Sequence, residues 1–344
     1  MQLVLNTFGA YLHRQGEMFR IKVGEEIKEV SSRKVSSILI ATAATLSTDA
    51  IQLAVEKNID IVFLDKFGDP FGRVWHGRPG STTRIRREQL RLMDTKEGLA
   101  FAKEWIGLKL ERQIGFLEEM RERRTRLSAE LTAAANQLKD LSTSLSLVEG
   151  TVEEVRGTIM GLEGTAGRIY FASLSKLLPD RFQFEGRSRN PAKDEFNCLL
   201  NYAYGVLYGT VERAALLAGL DPYIGFVHTD HYNKKSLVFD LIEQYRIWAD
   251  EAVVGLFAAK KITQALFDAL PNGFVLNKEG KAALMERFAG FLDEAIRYRG
   301  RNIKRRDTIQ FDCHRFANQL IGSTSSLQVG DANEADGDPG VDTV

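Results

Sequence analysis

The sequence has no hydrophobic run that approaches the roughly 18 residues a membrane helix needs. Its first residues, MQLVLNTFGAYLHRQGEMF, lack the basic-then-apolar order of a secretory signal peptide. It contains only two cysteines, Cys198 and Cys313, which form no motif and indicate a reducing compartment. From these absences we expect a cytoplasmic protein and neither a membrane nor an exported one.

The chain also lacks a net charge, since its 344 residues include 46 Lys+Arg and 46 Asp+Glu. The balance is uneven, because residues 323–344 carry five acids and no Lys or Arg. This segment has almost no large apolar side chains, so it is predicted to be a disordered acidic tail. The remainder is basic, and its basic residues are clustered.

Residues 1–80 have the pattern of a small β-rich domain. Short runs rich in β-branched and aromatic residues, such as QLVLN, MFRIKV and SSILIA, are separated by Gly or polar breaks. One helix, STDAIQLAVEKN, is expected among them, with Ser47 or Thr48 as its N-cap. Residues 81–95 are predicted to be a linker, and residues 96–322 show helical periodicity. The predicted fold class is α+β, a β-rich domain followed by a larger all-α domain.

A histidine and two acids in the helical part form a candidate metal site. His228 ends an apolar run of strand type, Tyr223 to Val227, and an amphipathic helix is expected to begin at Ser236. On that helix Asp240 and Glu243 are three residues apart, so both carboxylates lie on one face. An imidazole with two carboxylates suits a hard or borderline divalent cation.

The other histidines offer weaker sites. Zinc bound through His228 and His231 is disfavoured, because no cysteine or further histidine is suitably spaced. His13 and His76 have no acids at ligand spacing, and His314 is explained as a packing residue on a helix.

Two polar features stand out on predicted helices. Glu163 lies in GLEGTAGRIYF, where glycines leave one side of the helix open to a ligand or another backbone. By itself, a surface acid explains it equally well. Asn197, Asn201 and Tyr204 form a stripe on an apolar helix. Because buried polar groups need partners, this stripe is either a hydrogen-bond network or the lining of a cleft.

Basic clusters suggest a polyanionic substrate, although solvated loops explain them about as well on composition alone. They lie at 84–91, at 187–193 and, most densely, at 297–306. Together with a metal site that can polarise phosphates, they predict a metal-dependent nuclease or phosphodiester transferase. The alternative is a non-catalytic nucleic-acid-binding protein with a structural His and carboxylate cluster.

Four segments resemble, in order, the family of CRISPR-associated integrases, the nuclease-integrase subunits that acquire new spacers. They are IDIVFLDKFGDPFGRV, LEGTAGRIYF, GRSRNPAKDEFNCLLNYAYGVLYG and GLDPYIGFVHTDHYNKKSLVFDLIEQYR. The resemblance covers nearly the whole chain. It implies a β-domain that mediates homodimerisation and a helical catalytic domain.

The resemblance also implies the site. Glu163, His228 and Glu243 would hold Mg²⁺ or Mn²⁺, with Asp240 as a supporting residue and Asn197 positioning substrate or active-site groups. Asp240 remains the other candidate for the third ligand, and His231 has no role in the family.

The implied reaction is attack of a fragment's 3′-hydroxyl on a phosphodiester of the CRISPR repeat; water in its place gives nuclease activity. The implied partners are double-stranded DNA, a second copy of the chain, a small ferredoxin-like adaptation subunit and, in some systems, a fragment-trimming nuclease. DNA would be held by its backbone through basic side chains, namely Arg84, Arg187, Arg189, Arg301, Lys304 and Arg305.

Overall fold

The computed structural model describes residues 2–35, 37–66, 68, 70–74, 83–189, 191–228 and 234–322. The acidic tail, His76 and His231 lie outside these residues. A strand-rich N-terminal part precedes a mostly helical part, which confirms the predicted fold class. The described residues of the N-terminal part form eight strands and one helix: β1 (Gln2–Leu5), β2 (Ala10–Gln15), β3 (Met18–Val23), β4 (Glu26–Ser31), β5 (Ser37–Ile40), β6 (Ala44–Leu46), α1 (Thr48–Glu56), β7 (Asp60–Leu64) and β8 (Pro70–Val74).

These strands form two four-stranded sheets, ordered β1-β5-β7-β8 and β4-β3-β2-β6. The sheets and α1 enclose a small core that includes Leu12, Phe19 and Leu53. Ser47 is the N-cap of α1, and its hydroxyl accepts the N–H of Ala50 at 3.2 Å. The β4 strand, EIKEVS, was not among the predicted strands because its charged residues resemble a loop. It lies at a sheet edge, where charge discourages pairing with other chains.

The sheet β1-β5-β7-β8 contacts two cores through alternate residues. Ile38 and Ile61 face the small core, whereas Leu39 and Val62 join the large core of the helical part. Successive side chains of a strand point to opposite faces, so a strand buried on both faces is apolar throughout. This double burial explains the apolar run 38–40 of β5 and attaches the sheet to the helices.

The described residues of the helical part form nine helices and two hairpins. One helix lies inside the predicted linker, and a 3₁₀ turn at Glu243–Tyr245 joins two others. The elements are α2 (Thr83–Leu92), α3 (Lys96–Arg123), α4 (Ser128–Ser146), α5 (Val152–Leu177), α6 (Glu195–Leu217), α7 (Ser236–Ile242), α8 (Arg246–Ala258), β9 (Phe267–Leu270), β10 (Gly273–Leu276), α9 (Lys278–Asp293), β11 (Ala295–Tyr298), β12 (Arg301–Lys304) and α10 (Arg305–Leu320).

The hairpins are small departures from an all-α domain. The hairpin β9–β10 precedes α9, and β11–β12 overlaps the basic cluster at 297–306, for which a solvated loop was the alternative interpretation. Ile296 and Ile303 are paired across β11 and β12. Arg299 and Gly300 join them with φ angles of 46° and 85°, the left-handed backbone that tight two-residue turns require.

The helices pack around α6, which contacts α7, α8, α9, α10 and β8. The helices α3, α4 and α5 pack against one another, and α5 begins with a capping box between Thr151 and Glu154. Cys198 and Cys313 are buried and free. No helix in the described part of the chain is long and apolar enough to span a membrane.

A buried ion-pair network joins the strand-rich part to α6 and to the residue that precedes α7. Arg73 on β8 lies 3.2 Å from both Asp60 and Glu212, and Glu212 lies 2.5 Å from Lys235. Asp60 and Glu212 are only 1% and 4% exposed. The network therefore couples the sheet to the segment that carries Asp240.

Replacing Glu212 with glutamine should lower the free energy of unfolding by about 3 kcal/mol, since it leaves Arg73 and Lys235 with Asp60 as the one remaining acid of this network. Urea denaturation followed by circular dichroism measures the change. Glu130→Gln is the matched control, because Glu130 pairs with Lys176 at the surface, where ion pairs contribute little. Equal stability losses in both variants would contradict the prediction.

Candidate metal centre

Two acids from different elements meet on one ammonium group. Glu163 lies on α5, and Glu243 begins the turn between α7 and α8. The Nζ of Lys109 on α3 is 2.5 Å from Glu163 Oε1 and 2.5 Å from Glu243 Oε2. Lys109 and Glu243 are 8% and 3% exposed. The fold thus brings together two of the three predicted metal ligands around a positive charge.

Arg246 holds the second oxygen of Glu243. Its Nε donates to Glu243 Oε1 at 2.7 Å. Burial raises the pKa of Glu243, but Arg246 and Lys109 outweigh burial and hold that pKa well below its usual range. Burial lowers the pKa of Lys109, yet Glu243 and Glu163 raise it above its ordinary value. Glu243 is therefore an anion at neutral pH and can act as an oxygen ligand.

Asp240 orients His228 and the backbone before it. Asp240 Oδ1 is 2.7 Å from His228 Nδ1 and accepts the His228 N–H at 3.0 Å. Asp240 Oδ2 accepts the N–H groups of Phe226 and Val227 at 2.5 and 3.2 Å. Because these N–H groups bind a side chain and no neighbouring strand, the predicted strand at 223–227 is wrong. Asp240 itself lies on α7, which begins at Ser236 as predicted.

This pairing fixes the tautomer of His228. With Nδ1–H facing Asp240, Nε2 keeps the lone pair that a metal can use. Burial lowers the pKa of His228, but Asp240 raises it above the ordinary value, with further contributions from Glu243 and Glu163. Both carboxylate oxygens of Asp240 are thus bonded to His228 and the backbone of 226–228, whereas those of Glu243 face Lys109 and Arg246.

The three predicted ligands, Glu163, His228 and Glu243, do not surround a common point. Within the described ranges, no three His, Cys, Asp or Glu side chains lie close enough to hold a metal ion. The position between the acids is filled by the Lys109 ammonium. On α5, a Cβ added to Gly164 or Gly167 would meet no other atom within 4 Å. The open helix side predicted beside Glu163 is therefore present.

The predicted polar stripe on α6 is a hydrogen-bond network around Arg187. Arg187 donates to Asn197 Oδ1 and, at 2.7 Å, to Asn201 Oδ1, and it lies 5.4 Å from the centre of the Tyr204 ring. Arg246 lies 4.6 Å from the centre of the same ring. The network therefore extends from the 186–188 loop to the arginine that binds Glu243.

Asn197 serves this network and is fully buried. Its Nδ2 donates to Gly186 O at 2.9 Å and to Asp194 Oδ2 at 2.6 Å, while its Oδ1 also accepts the Ser188 N–H at 3.2 Å. These bonds, with that from Arg187, use the whole capacity of the amide. Asn197 therefore holds the 186–188 loop and Arg187 in place on α6.

Three residues of the site were missed from the sequence: Lys109, Arg246 and Asp250. Asp250 Oδ1 accepts the Tyr204 hydroxyl at 2.6 Å, and burial raises the pKa of Asp250 to about 6. For Lys109 a signal exists, because it lies four residues after Trp105 on the buried stripe of α3. A lysine on such a stripe needs a buried acid as partner.

The predicted DNA-binding residues lie in different settings. Arg189 and Arg301 are exposed. Arg84 donates to Ile321 O at 2.9 Å, Lys304 lies 3.2 Å from Asp293, and Arg305 pairs with Glu294. The cluster at 297–306 is thus partly neutralised by acids at the end of α9 and just after it.

Comparisons with known proteins agree on one family. The family model described as CRISPR associated protein Cas1 matches residues 3–290. The CRISPR-associated endonuclease Cas1 1 of Archaeoglobus fulgidus is 32% identical over 316 residues, which cover 88% of this chain and 91% of that protein.

Solved structures share the fold. A casposase bound to its integration product has a TM-score of 0.79 at 25% identity, covering 95% of this chain and 92% of that one. A Cas1 protein from Thermotoga maritima has a TM-score of 0.78 at 23% identity, covering 95% and 99%. These matches confirm the predicted CRISPR-associated nuclease and integrase family, and the chain belongs to the family described as CRISPR associated protein Cas1.

Proposed function

We propose that the protein inserts short DNA fragments into a CRISPR repeat by attack of a 3′-hydroxyl on a phosphodiester, with Glu163, His228 and Glu243 holding Mg²⁺ or Mn²⁺. The observation that carries the proposal is the Lys109 ammonium between Glu163 and Glu243, which marks a buried position for a cation. Two carboxylates and an imidazole are donors that these metals accept. The residues therefore fit a divalent metal.

Each residue has a part in the proposed reaction. A divalent cation would supply positive charge to the phosphodiester and to the attacking and leaving oxygens. Asp240 keeps His228 in the tautomer with Nε2 free, and Arg246 holds Glu243 so that Oε2 points to the site. The open side of α5 at Gly164 leaves room for a DNA backbone near Glu163. The fragment's 3′-oxygen would form the new bond to phosphorus as the bond to the repeat strand's own 3′-oxygen breaks, which releases a repeat 3′-end. With a 3′-hydroxyl or water as nucleophile, no covalent enzyme intermediate is needed.

The proposed substrates and partners follow from family membership. The casposase with an integration product at a TM-score of 0.79 supports DNA joining by this fold. The proposed partners are the DNA fragment, the repeat duplex, a second copy of the chain, a small ferredoxin-like subunit and, in some systems, a trimming nuclease. The division into a dimerisation domain at 1–80, a linker at 81–95 and a catalytic domain at 96–322 belongs to the same proposal.

The test is strand transfer. A labelled short duplex with 3′-hydroxyl ends is incubated with the protein, Mn²⁺ and a plasmid that carries a CRISPR repeat, with and without the ferredoxin-like subunit. We expect covalently joined product that disappears in EDTA and with 3′-dideoxy ends. Retention of DNA without joined product under all conditions would favour a binding protein and contradict the proposal.

Neutralising exposed arginines should weaken DNA binding in a salt-dependent way. Log affinity falls as log salt rises. Arg189→Ala and Arg301→Ala should each make this negative slope shallower by about one, as expected for one lost phosphate contact. Fluorescence anisotropy at several salt concentrations measures the slope. Lys304→Ala is the control, because Asp293 already pairs with Lys304 and a smaller change is expected. Unchanged slopes for both arginine variants would remove these residues from the DNA-binding surface.

A further inference from the structure

The ammonium of Lys109 lies between two of the three side chains that the proposed function assigns to a metal ion. Its Nζ is 2.5 Å from one oxygen of Glu163 and 2.5 Å from one oxygen of Glu243. Mg²⁺ binds carboxylate oxygens at roughly 2.0–2.1 Å and would need the same two atoms. Two cations cannot share this position, because like charges at such a distance repel strongly in a buried site.

We propose that Lys109 is a tethered competitor of the divalent cation. In the metal-free protein its ammonium holds Glu163 and Glu243 together, and it leaves this position when the metal binds. The inference rests on the proposed function. Arg246 retains Glu243 Oε1 at 2.7 Å, so the competition concerns Glu243 Oε2 and Glu163 Oε1.

The charge balance of the site supports this role. Two neighbouring carboxylates repel each other and lose hydration in a buried position, and a buried cation offsets both effects. Lys109 and Arg246 each supply one positive charge, which stabilises the pair before a metal arrives. The conformation that can bind the metal, in which Lys109 has left its place between Glu163 and Glu243, is then a minor state. The apparent affinity for the metal is the intrinsic affinity multiplied by the fraction of molecules in that state.

Mn²⁺ titration by calorimetry and electron paramagnetic resonance tests the inference. Lys109→Met, which keeps the unbranched shape, is one atom shorter and removes the charge, should bind Mn²⁺ at least about tenfold more tightly than the wild type, whereas Lys109→Arg should not. The matched control is Lys103→Met. Lys103 lies on the same helix and donates to the carbonyl groups of Ser146 and Val148 at 2.6 and 2.8 Å. Unchanged or weaker Mn²⁺ binding by Lys109→Met would overturn the inference.

A measurement on the wild type covers the case in which Lys109→Met does not fold. Reductive dimethylation with mass spectrometry reports how accessible each lysine is. Mn²⁺ should raise the labelling of Lys109 several-fold and leave that of Lys103 unchanged. Labelling of Lys109 that does not rise with Mn²⁺ would show that the ammonium stays between the acids.

Failure of the proposed function gives a different result. If the wild type and Glu163→Gln bind Mn²⁺ equally, or neither binds it, the metal site itself is wrong. If Mn²⁺ binding requires Glu163 but Lys109→Met binds no more tightly than the wild type, only the competition is wrong.

Discussion

Replacing Glu163 with glutamine should reduce strand transfer by at least about a thousandfold while DNA binding persists. Glutamine keeps the shape of the side chain and a carbonyl oxygen for Lys109, but it removes the negative charge. A thousandfold loss corresponds to ~4 kcal/mol of transition-state stabilisation, within the range that metal-ion catalysis supplies. The loss should appear in the rate of joining at saturating DNA, since Glu163 is proposed to act through the metal.

The measurement pairs a strand-transfer assay with fluorescence anisotropy of the same DNA. Glu153→Gln is the matched control, because Glu153 is an exposed acid in the first turn of the same helix. His228→Ala should cause a loss like that of Glu163→Gln, since both remove a proposed ligand. Normal integration by either of these two variants would overturn the assignment of the site.

The sequence predicts the separate parts of this site better than their contacts. Glu163 and Glu243 were singled out from their places on predicted helices, and the family resemblance then assigned them as metal ligands. The start of α7 at Ser236 follows from amphipathic periodicity. Their meeting on Lys109 joins α3, α5 and the turn after α7. Periodicity within one helix does not specify such a contact, because it depends on how three helices pack.

The segment before His228 shows a second limit. The apolar residues 223–227 have the composition of a strand, and their backbone N–H groups need partners in either conformation. Asp240 supplies those partners for Phe226 and Val227 from fourteen and thirteen residues away. The local sequence pattern does not show whether these N–H groups bind a neighbouring strand or a carboxylate on the next helix. The polar stripe on α6 was predictable as a network or a cleft lining, and the position of Arg187 decided between them.

Replacing Asp240 with asparagine should lower strand transfer by about 10–100-fold, the usual effect of removing a residue that orients a metal ligand. The carboxylate accepts three backbone N–H groups and faces His228 Nδ1. Asparagine offers one acceptor oxygen, and its amide nitrogen would face other donors. Each buried donor left without a partner costs about 1–3 kcal/mol, so the variant should also be less stable by about 3 kcal/mol.

The pH profile separates loss of stability from loss of orientation. His228 offers Nε2 to a metal only when neutral, so the rate rises with pH through the pKa of His228, which lies above 6.5 in the wild type. Burial lowers that pKa and Asp240 raises it, so removing the carboxylate charge lowers it. The acidic limb of the pH–rate profile should therefore move to lower pH in Asp240→Asn, although the maximal rate falls.

The raised pKa of His228 should also make the free energy of unfolding depend on pH. A folded-state pKa of His228 above its unfolded value adds stability below about pH 6.5, which is lost as the pH rises through the folded value. Asp240→Asn should lack most of this dependence. Asp312→Asn is the control, because Asp312 accepts hydrogen bonds from Tyr245 and Tyr298 at 2.9 and 2.6 Å, whereas the acids that raise the pKa of His228 are Asp240, Glu243 and Glu163. It should lose stability without moving the acidic limb. If Asp240→Asn loses rate while its acidic limb stays at the wild-type pH, Asp240 acts only by holding the backbone of 226–228.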